Sequence, residues 1–249
     1  IAKKYSQYID LVELRADYLD EDECLHIRKF PRLLNIPCIL TIRRRIDGGQ
    51  YIGGEAARTM LFARAMAFAD QETSKNFAYV DFEDDFHIPS LQDAAHAFGT
   101  RIIRSFHDMN NPVYDIIEKC NKIKKTGFEI PKIAFNPNSL KDVTHLFEVA
   151  KDFTEYDHIL CAMGDLGLPS RILANKTNSY LTYCSPKETA GNTNSIGHID
   201  PITLTELYRF RKISDRTKIY GITGFPLHYT SSPEIHNKGY DKNNIDAVY

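Results

Sequence analysis

The feature that most constrains this chain is a regular alternation of apolar, strand-like runs with amphipathic, helix-like ones, joined by short connections. Strand-like runs fall at 10–15, 37–43, 77–83, 101–108, 131–136, 158–163 and 179–184. Helical stretches are expected at about 20–30, 55–70, 89–98, 112–125, 139–151 and 201–211, with a shorter one around Arg171. Asn111 before Pro112 reads as a helix start, and Asn138 or Ser139 as a cap. Alternation of this kind predicts a parallel sheet with right-handed crossovers, either doubly wound or closed into a (β/α)8 barrel.

The strand ends favour the barrel. Glu13 and Arg15, Arg43, Asp81 and Glu83, His107, Met163 and Tyr183 stand at or just past the C-terminal ends of successive runs. A barrel gathers all such ends at one mouth, where active sites lie, whereas a doubly wound sheet gathers only those at its switch point. No nucleotide-binding glycine fingerprint follows the first strand. The expected architecture is a (β/α)8 TIM barrel over residues 1–211 with its first strand missing, because the chain opens on a helix-like segment at 2–8. A charged linker at 212–217 then leads into the start of a second α/β domain at 218–249, which opens on a strand and turn at 218–224.

Composition removes several classes of function. The 249 residues are 43% hydrophobic and 26% charged, enough for a full core, and the net charge of -2 offers no basic excess for nucleic acid. No apolar run has the length of a membrane span, and no signal peptide opens the chain. The five cysteines are scattered, without a C-x-x-C pair, so neither a disulfide framework nor a zinc site is indicated. The expected location is the cytoplasm. The histidines are dispersed, and no metal is expected.

The run Pro131-Lys132-Ile133-Ala134-Phe135-Asn136 carries the chemistry. Strand alternation puts Lys132, Ala134 and Asn136 on one side. A lone lysine there is most often a solvated charge. In a covered strand, burial lowers its pKa, and a neutral amine attacks carbonyls. His107 ends the preceding strand, so an amine and an imidazole meet one small molecule: lysine forms an imine with a ketone, and histidine moves the proton from the adjacent carbon. Arg15, Arg43 and Arg171 offer forks for a substrate carboxylate. Asp47 or Glu83 is expected to orient the imidazole.

These residues sit in motifs that resemble a known family. V-E-L-R-A-D at 12–17, T-I-R-x-x-x-D-G-G at 41–49, S-F-H-D at 105–108, P-K-I-A at 131–134 and S-R at 170–171 are similar, in order and spacing, to type I 3-dehydroquinate dehydratase. The resemblance implies a hydro-lyase of the shikimate pathway that converts 3-dehydroquinate to 3-dehydroshikimate without a cofactor. It implies Lys132 as the Schiff-base former and His107 as the proton-moving group. It also implies Glu13, Arg15, Arg43 and Arg171 as substrate-binding residues, with Met163 and Tyr183 lining the pocket. Asp47 stands where the family usually has glutamate. The closing loop maps to 194–198, giving Ser195 and His198 as substrate contacts, with His198 in place of a glutamine. A homodimer is one assembly open to such a chain.

The tail has its own resemblance. Residues 221–237 are similar to the opening of shikimate dehydrogenase, with Thr230 and Ser232 in the places of two shikimate-binding serines and Tyr229 in the place of a histidine. The arrangement is similar to a fused dehydratase–dehydrogenase. A complete dehydrogenase domain would need NADP, which nothing in this chain is expected to hold. The alternatives are another Schiff-base barrel, an aldolase, or a non-catalytic substrate-binding remnant.

Overall fold

In the first half of the molecule the strand-forming runs pair in chain order. The computed structural model describes residues 2–67, 70–189, 199–224 and 229–249. The chain divides into two units, Ala2–Phe135 and Asn136–Tyr249.

The first unit opens on helix α1 (Ala2–Tyr5) and is built on β1 (Val12–Arg15), β2 (Cys38–Thr41), β3 (Tyr79–Glu83), β4 (Arg101–Asp108) and β5 (Ile130–Phe135). Each strand pairs with the next in parallel. The crossovers carry α2 (Glu21–Leu25), α3 (Phe30–Leu33), α4 (Glu55–Met66), α5 (Pro89–Ala97) and α6 (Ile116–Ile123). The register sorts the side chains. Arg15 lies opposite Thr41, Thr41 opposite Asp81, Glu83 opposite Ser105, and Ser105 opposite Lys132. Register partners share a face and alternate residues return to it, so Glu13, Arg15, Thr41, Asp81, Glu83, Ser105, His107 and Lys132 project to one side. Toward the N-terminal ends the same side carries Ile39, Ile103 and Ile130. The opposite side is apolar: Leu14, Leu40, Val80, Phe82 and Ile102 pack with Phe62, Ala65 and Met66 of α4 and Leu91 and Ala95 of α5.

The second unit contains α7 (Leu140–Ala150), β6 (Ile159–Ala162) and α8 (Gly164–Ile172), then a β-α-β unit of β7 (Lys218–Ile219), α9 (Ser232–Lys242) and β8 (Ala247–Val248). β7 and β8 pair in parallel. Val248 shares an apolar cluster with Ile172, Leu173, Ile199, Leu204 and Ile213. Asn237 brackets β8 by donating to the Tyr249 carbonyl and accepting its N–H, at 3.2 and 2.8 Å. No helix among the described residues is long and apolar enough to cross a membrane.

Several expected elements differ, each for a local reason. The 20–30 helix is split at His26 into α2, a 3-10 turn at Ile27–Lys29 and α3; its start is fixed by a reciprocal cap between Asp20 and Glu23. The helix expected from Pro112 starts at Ile116, because the Asp108 carboxylate takes the N–H groups of Asn110 and Asn111 at 3.0 and 2.8 Å and holds a turn there. The helix expected to reach residue 70 stops at Met66. The strand expected at 179–184 reduces to one bridge between His158 and Ser179. Hydroxyls take over its ladder: Ser179 Oγ accepts from the Leu160 N–H, and Thr182 Oγ1 donates to the Arg171 carbonyl. The helix expected at 201–211 becomes a π-helical turn at Thr203–Leu207 and a 3-10 turn at Phe210–Lys212, separated by Arg209 at φ +52. Of the strand and turn expected at 218–224, the strand occupies Lys218–Ile219.

The paired glycines after β2 have a steric cause. Gly48 is left-handed at φ +81, and a Cβ on Gly49 would lie 2.1 Å from the Arg43 carbonyl oxygen. That oxygen also accepts the Tyr51 N–H at 3.0 Å. Gly49→Ala therefore forces backbone apart beside Arg43 and should cost roughly 1–3 kcal/mol in denaturant titration. Gly221→Ala, where a Cβ meets nothing within 4 Å, should stay within about 0.5 kcal/mol. Equal costs would refute the steric account.

Candidate active site

The polar side of the first unit's sheet is organised by one carboxylate. Asp81 Oδ2 accepts from Lys132 Nζ at 3.0 Å and pairs with Arg43 Nη2 at 2.8 Å. Asp81 Oδ1 accepts from the Ser105 hydroxyl at 2.5 Å. Arg43 Nη1 donates to Ser105 Oγ at 3.0 Å and to Glu83 Oε1 at 2.7 Å. Glu83 Oε2 in turn accepts both terminal nitrogens of Arg58 at 2.7 Å. Lys132 is 6% exposed, Arg43 4%, and Arg58, Asp81, Glu83 and Ser105 1% or less. Burial of charge at this depth is tolerated only with full pairing; removing one partner costs about 3–5 kcal/mol.

The charges fix one another's protonation. Burial alone would raise the Asp81 carboxyl, but Arg43 and then Lys132 beside it hold it well below the usual carboxylate range. Glu83 is raised by burial, with Arg43 and Arg58 opposing. The Arg43 guanidinium is held charged against its own burial by Asp81 and Glu83. Lys132 was expected to owe its reactivity to burial as a lone amine; instead its Nζ is ion-paired with Asp81. His107 is pushed well below its ordinary value of 6.5, first by burial, then by Arg43 and Lys132, with Asp81 pulling the other way. That shift favours the neutral imidazole, the form that can accept a proton. Its Nδ1 has no hydrogen-bond partner among the described residues.

Neither carboxylate expected to orient His107 does so. Asp47 is paired with Arg44 at 2.6 Å, and Arg44 also binds Asp85 through two bonds of 2.9 Å. The aspartate side chain is spent on the loop after β2. Glu83 is spent on Arg43 and Arg58. Glu13 accepts from the Thr41 hydroxyl at 2.7 Å. Arg15 is clamped by Asp17 at 2.9 and 2.7 Å, and Asp17 also accepts the Gln50 N–H.

The second unit holds the remaining expected residues. Met163 is buried at the entry to α8. Ser170 Oγ accepts the Ala162 N–H at 3.0 Å and donates to the Gly167 carbonyl at 2.7 Å, which moors α8 to the end of β6. Gly167 permits the approach, since a Cβ there would lie 2.3 Å from the Ala162 carbonyl. Arg171 is buried and reaches the Tyr183 carbonyl at 3.4 Å. Ser195 and His198 lie outside the described residues. Thr230 Oγ1 donates to Ser232 Oγ at 3.0 Å and accepts the Ser232 N–H at 3.1 Å, so both tail hydroxyls are engaged at the start of α9.

Asp81, Ser105 and Arg58 are the residues sequence reasoning passed over. Asp81 was visible as a strand-end acid two positions before Glu83, and Ser105 as the residue two before His107, each on the site's face by period two. Arg58 carried no signal, being one of two arginines on an amphipathic helix.

His107 should remain uncharged at pH 6.5, where an exposed histidine is half protonated. Imidazole signals followed by NMR, and assigned with His107→Asn, should show no His107 titration between about pH 7.5 and 6. An ordinary midpoint in the free protein would contradict the half-buried, cation-flanked setting.

Comparison with known proteins agrees with these motifs. The family described as type I 3-dehydroquinase matches residues 1–215. The 3-dehydroquinate dehydratase of Methanocaldococcus jannaschii is 32% identical over 219 residues, covering 84% of this chain and 90% of that protein. The chloroplastic bifunctional 3-dehydroquinate dehydratase/shikimate dehydrogenase of Arabidopsis thaliana is 30% identical over the whole chain, which spans 40% of that protein's length. Among solved structures, the 3-dehydroquinate dehydratase of Aquifex aeolicus matches with a TM-score of 0.65 at 26% identity, over 83% of this chain and 90% of that one. That of Geobacillus kaustophilus shares the fold with a TM-score of 0.70 at 22% identity, over 85% of this chain and 84% of that one. With its motifs in register and a family match over most of its length, the chain belongs to the type I 3-dehydroquinase family.

Proposed function

We propose that this chain dehydrates 3-dehydroquinate to 3-dehydroshikimate through an imine on Lys132. The observation that carries the reading is the placement of Lys132 Nζ: buried, and on the same sheet face as His107 by strand register. Lys132 condenses with the substrate ketone, releasing water and leaving a protonated imine. That cation acidifies the neighbouring carbon. Neutral His107 accepts the carbon-bound proton, and the resulting enamine expels the β-hydroxyl, which leaves as water when His107 returns the proton. Water then hydrolyses the product imine and frees Lys132, so the overall change is loss of one water, with no redox step and no cofactor.

Glu13, Arg15 and Arg43 share the face of Lys132 and are proposed to hold the substrate's hydroxyls and carboxylate. Arg171, Met163, Tyr183, Ser195 and His198 are assigned to substrate on their motif positions. Asp47 is assigned to the loop beside the site through Arg44, rather than to His107. The parallel sheet is proposed to belong to a (β/α)8 barrel over residues 1–211, with the fold of the Geobacillus neighbour in support. Residues 218–249, joined through 212–217, are proposed as the opening of a shikimate-dehydrogenase-like domain. Support comes from the β-α-β unit there and the alignment to the Arabidopsis bifunctional relative. Thr230 and Ser232 would be its shikimate-binding hydroxyls, and NADP would bind only in a complete domain of that kind.

Borohydride added to the protein with 3-dehydroquinate should leave a reduced adduct on Lys132 by peptide mass spectrometry, together with a new conjugated-enone absorbance. His107→Ala should still be trapped yet turn over at least about a hundredfold more slowly. An adduct elsewhere, no adduct from folded protein, or full activity in His107→Ala would sink the assignment.

A further inference from the structure

The network around Asp81 assigns it more than a packing role. Asp81 Oδ2 lies 3.0 Å from Lys132 Nζ, the atom that changes bonding during the reaction. Oδ2 is also 2.8 Å from Arg43, and Oδ1 takes the Ser105 hydroxyl. We propose that Asp81 is a catalytic counter-ion, holding the nitrogen cation on Lys132 in place as ammonium and as protonated imine. The inference rests on the Lys132 imine proposed above.

Charge balance supports the role. An ammonium plus a ketone gives a protonated imine plus water, so Nζ carries one positive charge before and after condensation. The two protons that the nitrogen gives up depart with the ketone oxygen as water. A carboxylate already aligned on Nζ therefore needs no rearrangement, which is the condition under which fixed charges are most effective. The single N–H that remains on the protonated imine has an acceptor waiting in Asp81 Oδ2.

The next step removes that charge. When His107 takes the carbon-bound proton, Nζ becomes a neutral enamine nitrogen. A buried carboxylate with lysine as its sole partner would then be stranded, at a cost of several kcal/mol. Here Arg43 and Ser105 keep Asp81 paired throughout. Arg43 and Arg58 carry two positive charges against the two negative charges of Asp81 and Glu83. The frame is neutral by itself, and Nζ can pass between charged and uncharged without exposing an unpaired ion. Packing or register alone does not call for this balance. An isolated Lys–Asp pair would satisfy both.

The groups that face this nitrogen set its pH response. They are Asp81 and Glu83 of β3, Arg43 beyond β2, and His107 with Ser105 on β4. Glu13 of β1 acts on Arg43, and Arg15 acts on His107. Arg43 opposes a cation at Nζ, and Asp81 accepts a hydrogen bond from it at 3.0 Å. Removing the Asp81 charge should therefore make the imine lose its proton at lower pH.

The test measures borohydride trapping at Lys132 and kcat across pH in the full chain, using 3-dehydroquinate. Wild-type protein that folds but gives no Lys132 adduct would refute the imine itself. Where wild type is trapped, Asp81→Asn should move the alkaline limit of trapping and of kcat down by roughly 1–3 pH units and lower kcat roughly a hundredfold. Asp81→Glu should bring the alkaline limit back toward wild type. An Asp81→Asn protein with wild-type trapping and an unmoved limit would overturn the proposal. Should Asp81→Asn not fold, Ser105→Ala removes one hydrogen bond and no charge. It should lower kcat about tenfold with KM little changed, and an unchanged kcat would overturn the proposal equally.

Discussion

Much of the first unit follows from one buried carboxylate. Taking Asp81 out of water costs several kcal/mol unless cations and donors surround it. Its three partners come from three separate places: Arg43 just beyond β2, Ser105 on β4 and Lys132 on β5. They meet only if the registers of β2, β3, β4 and β5 are all correct. A slip of one residue in any of these strands would turn its polar set into the helix-covered side. The apolar cluster of Leu40, Val80, Phe82 and Ile102 specifies the same registers from the other face. Electrostatics and hydrophobic burial thus select one alignment, and each penalises the errors the other would penalise.

Arg58 links the two faces. It arises on α4, among Phe62 and Phe86, with its guanidinium 5.4 and 4.7 Å from those rings. From there it donates to the Ile42 carbonyl at 3.0 Å and to Glu83. A helix on the apolar layer therefore supplies the outermost charge of the polar network. Without it, Glu83 would compete with Asp81 for Arg43, and the geometry at Lys132 would be shared among too few cations. The position of α4 thus bears on the polar network around Lys132.

The sequence made the architecture of the first unit legible because period-two alternation and strand-end charges are local patterns. Lys132, His107, Arg15, Arg43 and Glu13 could be gathered at one mouth from strand order alone. Pairing was not legible. Asp47 was expected at His107 because an acid near a histidine in a motif is the ordinary orienting group. Nothing in the spacing shows that Arg44, three residues before it, takes it at 2.6 Å. Asp81 was read as one of two acids ending a strand, and the choice between Asp81 and Glu83 as partner of Lys132 depends on interstrand register. In the second unit the errors have another origin. Ser179 and Thr182 are good strand residues by composition, yet their hydroxyls bond backbone groups that a ladder would use. Side-chain capture of backbone groups competes with sheet pairing at a cost too small for composition to reveal.

The charged stretch before the tail shows the same limit from the other side. Composition marks 212–217 as a charged linker, and Lys212 is exposed, paired with Asp241 across a solvent-screened ion pair. Its neighbours behave differently. Arg209 adopts φ +52 and donates to the Ala247 carbonyl at 2.6 Å, and Thr217 donates to Asp246 at 2.7 Å. Val248 then enters the apolar cluster of Ile172, Leu173 and Ile213. A strained arginine in the left-handed region costs of order 1–3 kcal/mol and persists only where other contacts fix it. Here the contacts that fix it are those that seat β8. Side chains flanking a polar segment can thus anchor an apolar strand about thirty residues further on, and residues 136–249 pack as one body through the segment that composition alone would make a hinge.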